Sequence, residues 1–269
     1  MGLGGSMDIR EYVRLAKEDI KEQIRAIGRT PILSIITVGE DPASQAYVRG
    51  KKKDAAEVGI EARHIVFPAN VSEEELLSSI KEQNNDPAVD GIIVQLPVPK
   101  QISEAKINQT ISPKKDVDGF TPLSSFKPCT PKGIIDYLSF LHFDFEGKNA
   151  VVIGRSEIVG KPMAKMLLAK NMNVTVLHSK TKEEDKAFYL AHADLIVVAT
   201  GRRNIVDSRY IFKERAYVID VGINRDEANH LHGDCEPNLP VALQTPVPGG
   251  VGLLTRLALL TNLLEASKR

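Results

Sequence analysis

Apolar and polar residues alternate along this chain in two blocks of strand-like and helix-like periodicity. In the first block, apolar residues recur at helical spacing from Asp8 to Ile27 and predict an amphipathic helix. Ile32-Leu33-Ser34-Ile35-Ile36-Thr37-Val38 is a nearly unbroken β-branched run and predicts a buried strand. A helix is predicted over Pro42 to Val58, with Asp41 as N-cap, proline in the first turn and Gly59 just past the end. Ala62 to Phe67 reads as a strand and Ser72 to Asn84 as a helix carrying Glu74 and Glu75 in its first turn. Gly91-Ile92-Ile93-Val94-Gln95 reads as a third strand. Strand–helix–strand–helix–strand order requires a mainly parallel sheet with helices on both faces, because parallel neighbours need a crossover.

The second block begins near Lys148, with strands predicted over Ala150 to Ile153, Val174 to Leu177, Leu195 to Ala199 and Tyr217 to Val221. Between the blocks, Ile111 to Lys132 carries four prolines and few apolar residues, and reads as a crossing without an element of its own. The run Pro246-Val247-Pro248-Gly249-Gly250-Val251-Gly252 precedes a final helix. The fold class is therefore α/β.

The most informative segment is Val151-Val152-Ile153-Gly154-Arg155-Ser156-Glu157-Ile158-Val159-Gly160-Lys161-Pro162. A buried strand stops at a glycine and a helix begins, which is how α/β proteins present helical N–H groups to a phosphate. The full dinucleotide fingerprint is absent: Gly154 and Gly160 are the two glycines, and no carboxylate ends the following strand, which runs into His178-Ser179-Lys180-Thr181. An acid there would bind a bare ribose. Arg155, Ser179, Lys180 and Lys182 favour a 2′-phosphate instead, so NADP is expected over NAD.

Composition narrows the alternatives. Hydrophobic residues make up 42% and charged residues 26%, and 35 basic residues balance 35 acidic ones, which offers no electrostatic case for nucleic acid. No apolar run approaches the ~18 residues of a membrane span. Cys129 and Cys235 cannot build a disulfide framework and show no metal-ligand spacing, so no metal is expected and a reducing, cytoplasmic setting is. Met1 to Ser6 reads as an added leader ahead of a natural start at Met7.

Three further positions carry candidate chemistry. Tyr47, Lys51, Ala55 and Val58 follow one another at helical spacing and are expected to share an inward face. A lysine there is partly desolvated, which eases proton exchange near neutral pH; the plainer alternative is a lysine reaching out from a helix edge. Gln95 ends the third strand, at the mouth where open α/β sheets bind ligands, and Pro97 and Pro99 follow. In Lys115-Asp116-Val117-Asp118-Gly119-Phe120, a carboxylate held by a loop could accept two parallel N–H bonds from a flat amidine edge, or could simply face solvent in a turn.

Taken in order, these segments resemble the bifunctional methylenetetrahydrofolate dehydrogenase/cyclohydrolase family. Tyr47-Val48-x-x-Lys51-x-Lys53, Asp90 to Pro97, Lys115 to Phe120, Pro128-Cys129-Thr130-Pro131, Gly154 to Pro162, His178-Ser179-x-Thr181, Ile219 to Asn224 and Thr245 to Gly252 all match in register. The resemblance implies a folate-binding domain over residues 7–122 with the C-terminal helix 250–269 returning to it, a Rossmann-like NADP domain over 123–249, and an active site in the cleft between them. It implies that Lys51 transfers protons, with Gln95 as polar partner, Tyr47 as a ring against the pterin and Asp118 gripping the pterin edge; these four form the catalytic set. Leu96, Pro248, Gly249 and Gly250 would join Tyr47, Gln95 and Asp118 around the folate. Gly154, Arg155, Ser156, Val159, Gly160, Pro162, His178, Ser179, Thr200, Gly201 and Ile223 would hold NADP. The implied assembly is a homodimer acting on tetrahydrofolate one-carbon derivatives, with neither nucleic acid nor membrane as partner. The chain departs from the family after Phe120, where Thr121-Pro122-Leu123-Ser124-Ser125-Phe126 is short, at Gly252-Leu253-Leu254-Thr255, and at Arg203. Two other readings stay open at this point: a dehydrogenase with weak or no cyclohydrolase activity, and a non-catalytic nucleotide- or folate-binding module.

Overall fold

A computed structural model of the protein describes residues 8–269. The leader expected at Met1 to Ser6, and Met7 after it, lie outside the described residues. The chain forms two compact units: Val13–Cys129 with Arg256–Arg269, and Thr130–Thr255 with the residues up to Tyr12.

The first unit is built from α1 (Ile9–Ile27, its first turn grouped with the other unit), β1 (Ile32–Val38), α2 (Pro42–Val58), β2 (Glu61–Phe67), α3 (Glu73–Asn85), β3 (Gly91–Val94) and α4 (Glu104–Thr110). The strands form a parallel sheet in the order β2-β1-β3, with Leu33 beside both Ala62 and Gly91. Every residue of β1 is buried, Ser34 and Thr37 included, as expected of a central strand. Ile36, Leu76, Ile80 and Ile92 form a fully buried cluster. The start signals act as read: Asp41 accepts a bond from Ser44 N at 2.7 Å, and Ser72 caps α3 through Glu75 N at 3.1 Å. Gly59 stops α2 in the left-handed region at φ 89°.

The second unit contains most of α5 (Cys129–Phe140), then β4 (Asn149–Ile153), α6 (Gly160–Ala169), β5 (Asn173–Leu177), α7 (Glu183–His192), β6 (Leu195–Val198), β7 (Tyr217–Asp220), the short pair β8 (Asn224–Arg225) and β9 (Leu231–His232), and β10 (Leu243–Gln244). Its parallel sheet runs β10-β7-β6-β4-β5. One cluster, with Val152, Met163, Leu167 and Val197, and another, with Val151, Leu190, Ile196 and Val218, provide its apolar cores. The last helix, α8 (Val251–Ser267), contributes its residues from Arg256 onward to the first unit.

One expectation fails locally, and one element goes unread in the sequence. The segment Ile111 to Lys132 was expected to lack an element, yet α5 begins inside it at Cys129. Pro131 falls in the first turn, where a missing N–H costs no helical bond, so proline there starts a helix instead of breaking one. The seven-residue α4 also escapes the periodicity; Ser103 caps it by accepting from Lys106 N at 3.4 Å.

Ile36 is fully buried on the central strand. Ile36→Ala is expected to lower the unfolding free energy by about 2–5 kcal/mol in urea titration, through lost transfer energy and the cavity left behind. A loss under about 0.5 kcal/mol would mean that the site collapses around alanine.

Candidate active-site and cofactor residues

In the first unit, α2 presents Lys51 toward the end of β3. The line of buried residues on α2 runs through Ser44, Val48, Ala55 and Val58. Tyr47 is 48% exposed and is not on it, contrary to the expected inward face. At about 100° per residue, Lys51 falls within the arc that these buried residues span, and Tyr47 falls just outside its edge. Lys51 is therefore half-buried, with its amine donating to Gln95 Oε1 at 3.0 Å. The other end of that amide is fixed as well: Gln95 Nε2 donates to the Leu96 carbonyl at 3.0 Å. With its NH2 group committed, the glutamine presents its oxygen to the lysine. Of the bonds that precede Pro97 and Pro99, Leu96–Pro97 is cis. A cavity of about 230 Å³ reaches Gln95 from the α2 flank that carries Gln45, Arg49 and Lys52.

Asp116 and Asp118 do different work. Asp116 is buried and accepts from Gly119 N at 3.2 Å and Thr121 N at 2.8 Å, so it shapes the loop. Gly119 takes φ 75°, and a Cβ there would stand 2.6 Å from Lys127 backbone. Asp118 makes no such backbone bonds among those described. Burial pushes its carboxyl above the ordinary carboxylate range; the Lys51 charge opposes that rise and Asp116 adds to it. Cys129 Sγ lies 4.0 Å from Asp118 Oδ1 and donates to the Val117 carbonyl at 3.3 Å. Asn262 on α8 donates to the same carbonyl at 2.9 Å and to Lys127 O at 3.1 Å, bracing the loop from the far end of the chain.

A buried carboxylate anchors the helix. Asp54, three residues past Lys51, pairs with Lys17 at 2.7 Å and with Arg256 Nε at 2.6 Å. The Arg256 Nε contact is an ion pair outside hydrogen-bond geometry; its Nη2 donates to Asp54 Oδ1 at 3.3 Å. The same guanidinium packs on Gly50, where a Cβ would meet Nη1 at 2.7 Å.

In the second unit, β4 ends at Gly154 with φ 121°, and a Cβ there would stand 2.2 Å from the Ala199 carbonyl oxygen. A Cβ on Gly160 would meet Gly154 O at 2.3 Å. The two glycines therefore let β4, β6 and α6 approach one another. The helix start differs from expectation. Ser156 Oγ accepts from Val159 N and Gly160 N, both at 3.2 Å, and Lys161 N donates to Ser156 O at 3.0 Å. These N–H groups are spent on Ser156, so positive charge at this turn comes from side chains. Arg155, Lys180 and Lys182 are exposed, as is Ser179, and no carboxylate closes β5. Pro162 is the third residue of α6. His178 N donates to Thr181 Oγ1 at 2.9 Å, and His178 Nδ1 accepts from Lys180 N at 3.2 Å. Ile223 is 51% exposed. Pro248 follows a second cis bond, Gly249 takes φ 90°, and a Cβ on Gly250 would meet Pro246 O at 2.2 Å.

Lys51, Gln95, Leu96, Tyr47 and Asp118 thus belong to one unit, with Lys51 and Gln95 bonded and Asp118 in the lysine's field. Pro248, Gly249 and Gly250 belong to the other, together with Gly154, Thr200, Gly201 and Ile223. Sequence reasoning missed Asp54 and Asn262. Both are single polar residues on helix faces, and spacing carries no signal for partners brought in from other helices and loops, 37 to 202 positions away. Among the described residues, no group of three or more His, Cys, Asp or Glu could hold a metal ion.

The raised carboxyl of Asp118 has a stability consequence. A native state that holds the proton more tightly than the unfolded chain loses stability as pH rises from the unfolded value, about 3.9, through the folded one. Asp118→Asn removes that loss, so its unfolding midpoint at pH 7 is expected above that of the unaltered protein, with the gap closing below about pH 4. Equal midpoints at pH 7 in thermal melts would contradict the assignment.

Comparison with known proteins places these units. Residues 7–118 match the family described as "Tetrahydrofolate dehydrogenase/cyclohydrolase, catalytic domain", and residues 128–269 match its "NAD(P)-binding domain". The bifunctional protein FolD of Staphylococcus aureus (strain Newman) is 46% identical over 278 aligned residues, covering 99% of this chain and 96% of the relative. The bifunctional FolD methylenetetrahydrofolate dehydrogenase/cyclohydrolase of Campylobacter jejuni superposes with a TM-score of 0.92 at 41% identity, covering 96% of each chain. The Trypanosoma brucei FolD, solved with NADP cofactor and inhibitor, gives a TM-score of 0.92 at 33% identity, covering 100% of this chain and 99% of that one. With both family domains matched in order along its length, the chain belongs to the tetrahydrofolate dehydrogenase/cyclohydrolase family.

Proposed function

We propose that this protein oxidises methylene-tetrahydrofolate to methenyl-tetrahydrofolate with NADP and hydrolyses the product to formyl-tetrahydrofolate. The observation that carries the reading is the Lys51–Gln95 bond beside Asp118: an oriented amine, a locked amide and a half-buried carboxylate in one unit.

NADP, when bound, accepts the hydride. The donor set of the second unit fits a phosphorylated dinucleotide: Arg155, Lys180 and Lys182 lie on turns that lack a strand-end carboxylate, with the Ser179 hydroxyl among them. For the oxidation, the chain's task is to hold the folate in place. Asp118, when ionised, accepts two parallel N–H bonds from the pterin edge, and its partial burial makes that pairing stronger than it would be in water. Tyr47, exposed one turn before Lys51, offers its ring as a stacking face. Leu96 and the Pro248-Gly249-Gly250 turn complete the folate contacts.

For the hydrolysis, water attacks the methenyl carbon and Lys51 takes its proton. The adduct hydroxyl then gives up its proton and becomes the formyl carbonyl as the ring C–N bond breaks; one of the two protons from water passes to the departing nitrogen and the other is released to solvent, which discharges the cation. An amine keeps a donor for Gln95 whether charged or neutral, so Lys51 holds its position through the cycle. The family resemblance also supports a homodimer, and a sequence with two cysteines that cannot build a disulfide framework supports a reducing cytoplasm. No helix among the described residues is long and apolar enough to cross a membrane.

Mixing the protein with methylene-tetrahydrofolate and NADP should yield NADPH without lasting accumulation of methenyl intermediate. Intermediate decaying only at the uncatalysed rate would leave a dehydrogenase alone, and no NADPH would leave a binding module. Lys51→Met is expected to cut hydrolysis by about 10²–10⁴-fold while NADP affinity is retained; undiminished hydrolysis would remove Lys51 from its role. Asp118→Ala should weaken folate binding far more than NADP binding, and equal weakening would make the carboxylate structural.

A further inference from the structure

Asp234 is fully buried in the second unit, just after β9, and no role at the site has so far been given to it. Its Oδ2 accepts three bonds: from Thr200 N at 2.6 Å, Thr200 Oγ1 at 2.9 Å and Gly201 N at 3.0 Å. Its Oδ1 accepts from Asn224 Nδ2 at 2.9 Å. All four donors are neutral. Gly222 lies against the same carboxylate, since a Cβ there would stand 2.1 Å from Oδ1. A single side chain therefore joins the turn after β6 to the turn after β7, at the carboxyl ends of two adjacent strands.

The carboxylate is itself held. Asp220, which ends β7, accepts from Asp234 N and Gly222 N on Oδ1 and from Cys235 N on Oδ2, each at 2.9 Å. Burial pushes the Asp220 carboxyl up, its backbone donors pull it down, and Asp234 adds a like charge beside it. Two adjacent buried carboxylates with only neutral donors are a costly arrangement, and filling a core does not require it. What the arrangement provides is direction. The N–H groups of Thr200 and Gly201 and the Thr200 hydroxyl, all expected to serve a cofactor, are aimed at Asp234. These residues therefore meet a ligand through their other atoms, in an orientation that Asp234 sets.

We infer that Asp234 is a positioning residue for the cofactor, fixing the Thr200-Gly201 turn and the Gly222-Ile223-Asn224 turn as one surface for NADP. The inference rests on the reading of this chain as an NADP-dependent dehydrogenase. An asparagine at 234 cannot satisfy both sides: its NH2 must face either the Thr200 and Gly201 donors or the Asn224 donor.

Steady-state kinetics of Asp234→Asn test this. The KM for NADP should rise about ten- to a hundredfold, the effect of losing a charge-assisted contact. The KM for methylene-tetrahydrofolate should change by less than about twofold, because a substrate held by the other set of residues is not reached by the lost contact. Both KM values rising together, or neither changing, would overturn the inference. Asn224→Ala provides a test that does not depend on Asp234→Asn folding. It removes the side-chain donor to Asp234 Oδ1 and should raise the NADP KM about threefold or more, with the methylene-tetrahydrofolate KM within about twofold of its starting value. An unchanged NADP KM would also overturn it. If the unaltered protein makes no NADPH, the functional reading itself has failed, and that outcome is separate from any effect of the variants.

Discussion

The chemistry assigned to this chain depends on one amine being held in place by an amide whose own direction is fixed. Lys51 donates to Gln95 Oε1, and Gln95 donates to the Leu96 carbonyl, the next residue along the chain. The second bond keeps the first from being lost to an amide flip. A flexible lysine at a helix edge would spend most of its side-chain entropy in solvent, and that entropy is among the largest of any residue. The bond to Gln95 and the partial burial of the stem confine it, and the field of Asp118 adds an electrostatic reason to stay.

Much of the first unit can be understood as support for that arrangement. Asp54 ties α2 to α1 through Lys17 and to α8 through Arg256, so two other helices fix the one that carries Lys51. Asn262 braces the loop that carries Asp118, and Asp116 curls the loop around its own carboxylate. Buried pairs of this kind contribute little net stability, because desolvation offsets the Coulomb gain; breaking one leaves an unpaired buried charge. Their effect is to allow one geometry. Asp118 shows the opposite side of the same balance, since its carboxyl is kept where burial disfavours its charge.

The second unit follows a related logic with backbone donors in place of cations. Ser156 gathers the first N–H groups of α6, and Asp234 gathers those of Thr200 and Gly201. Side chains thus occupy donors that a phosphate would meet in a standard glycine-rich loop, and the exposed Arg155, Lys180 and Lys182 are left to supply attraction for an anion.

Local sequence determined the elements whose formation is a local matter. The buried run of β1, the Asp41 and Gly59 signals around α2 and the glycine that ends β4 are legible because burial pattern, capping and φ preference act within a few residues. Local pattern singled out Lys51, Gln95 and the Asp116–Asp118 pair, and the family resemblance chose Asp118 and gave each its expected role. Only the tertiary structure decided which way Tyr47 turns, that Asp116 builds the loop while Asp118 lies in the lysine's field, and that Asp54, Asn262 and Asp234 matter at all. Each of those outcomes depends on a partner brought close by folding, and spacing along the chain carries no record of a contact made across it.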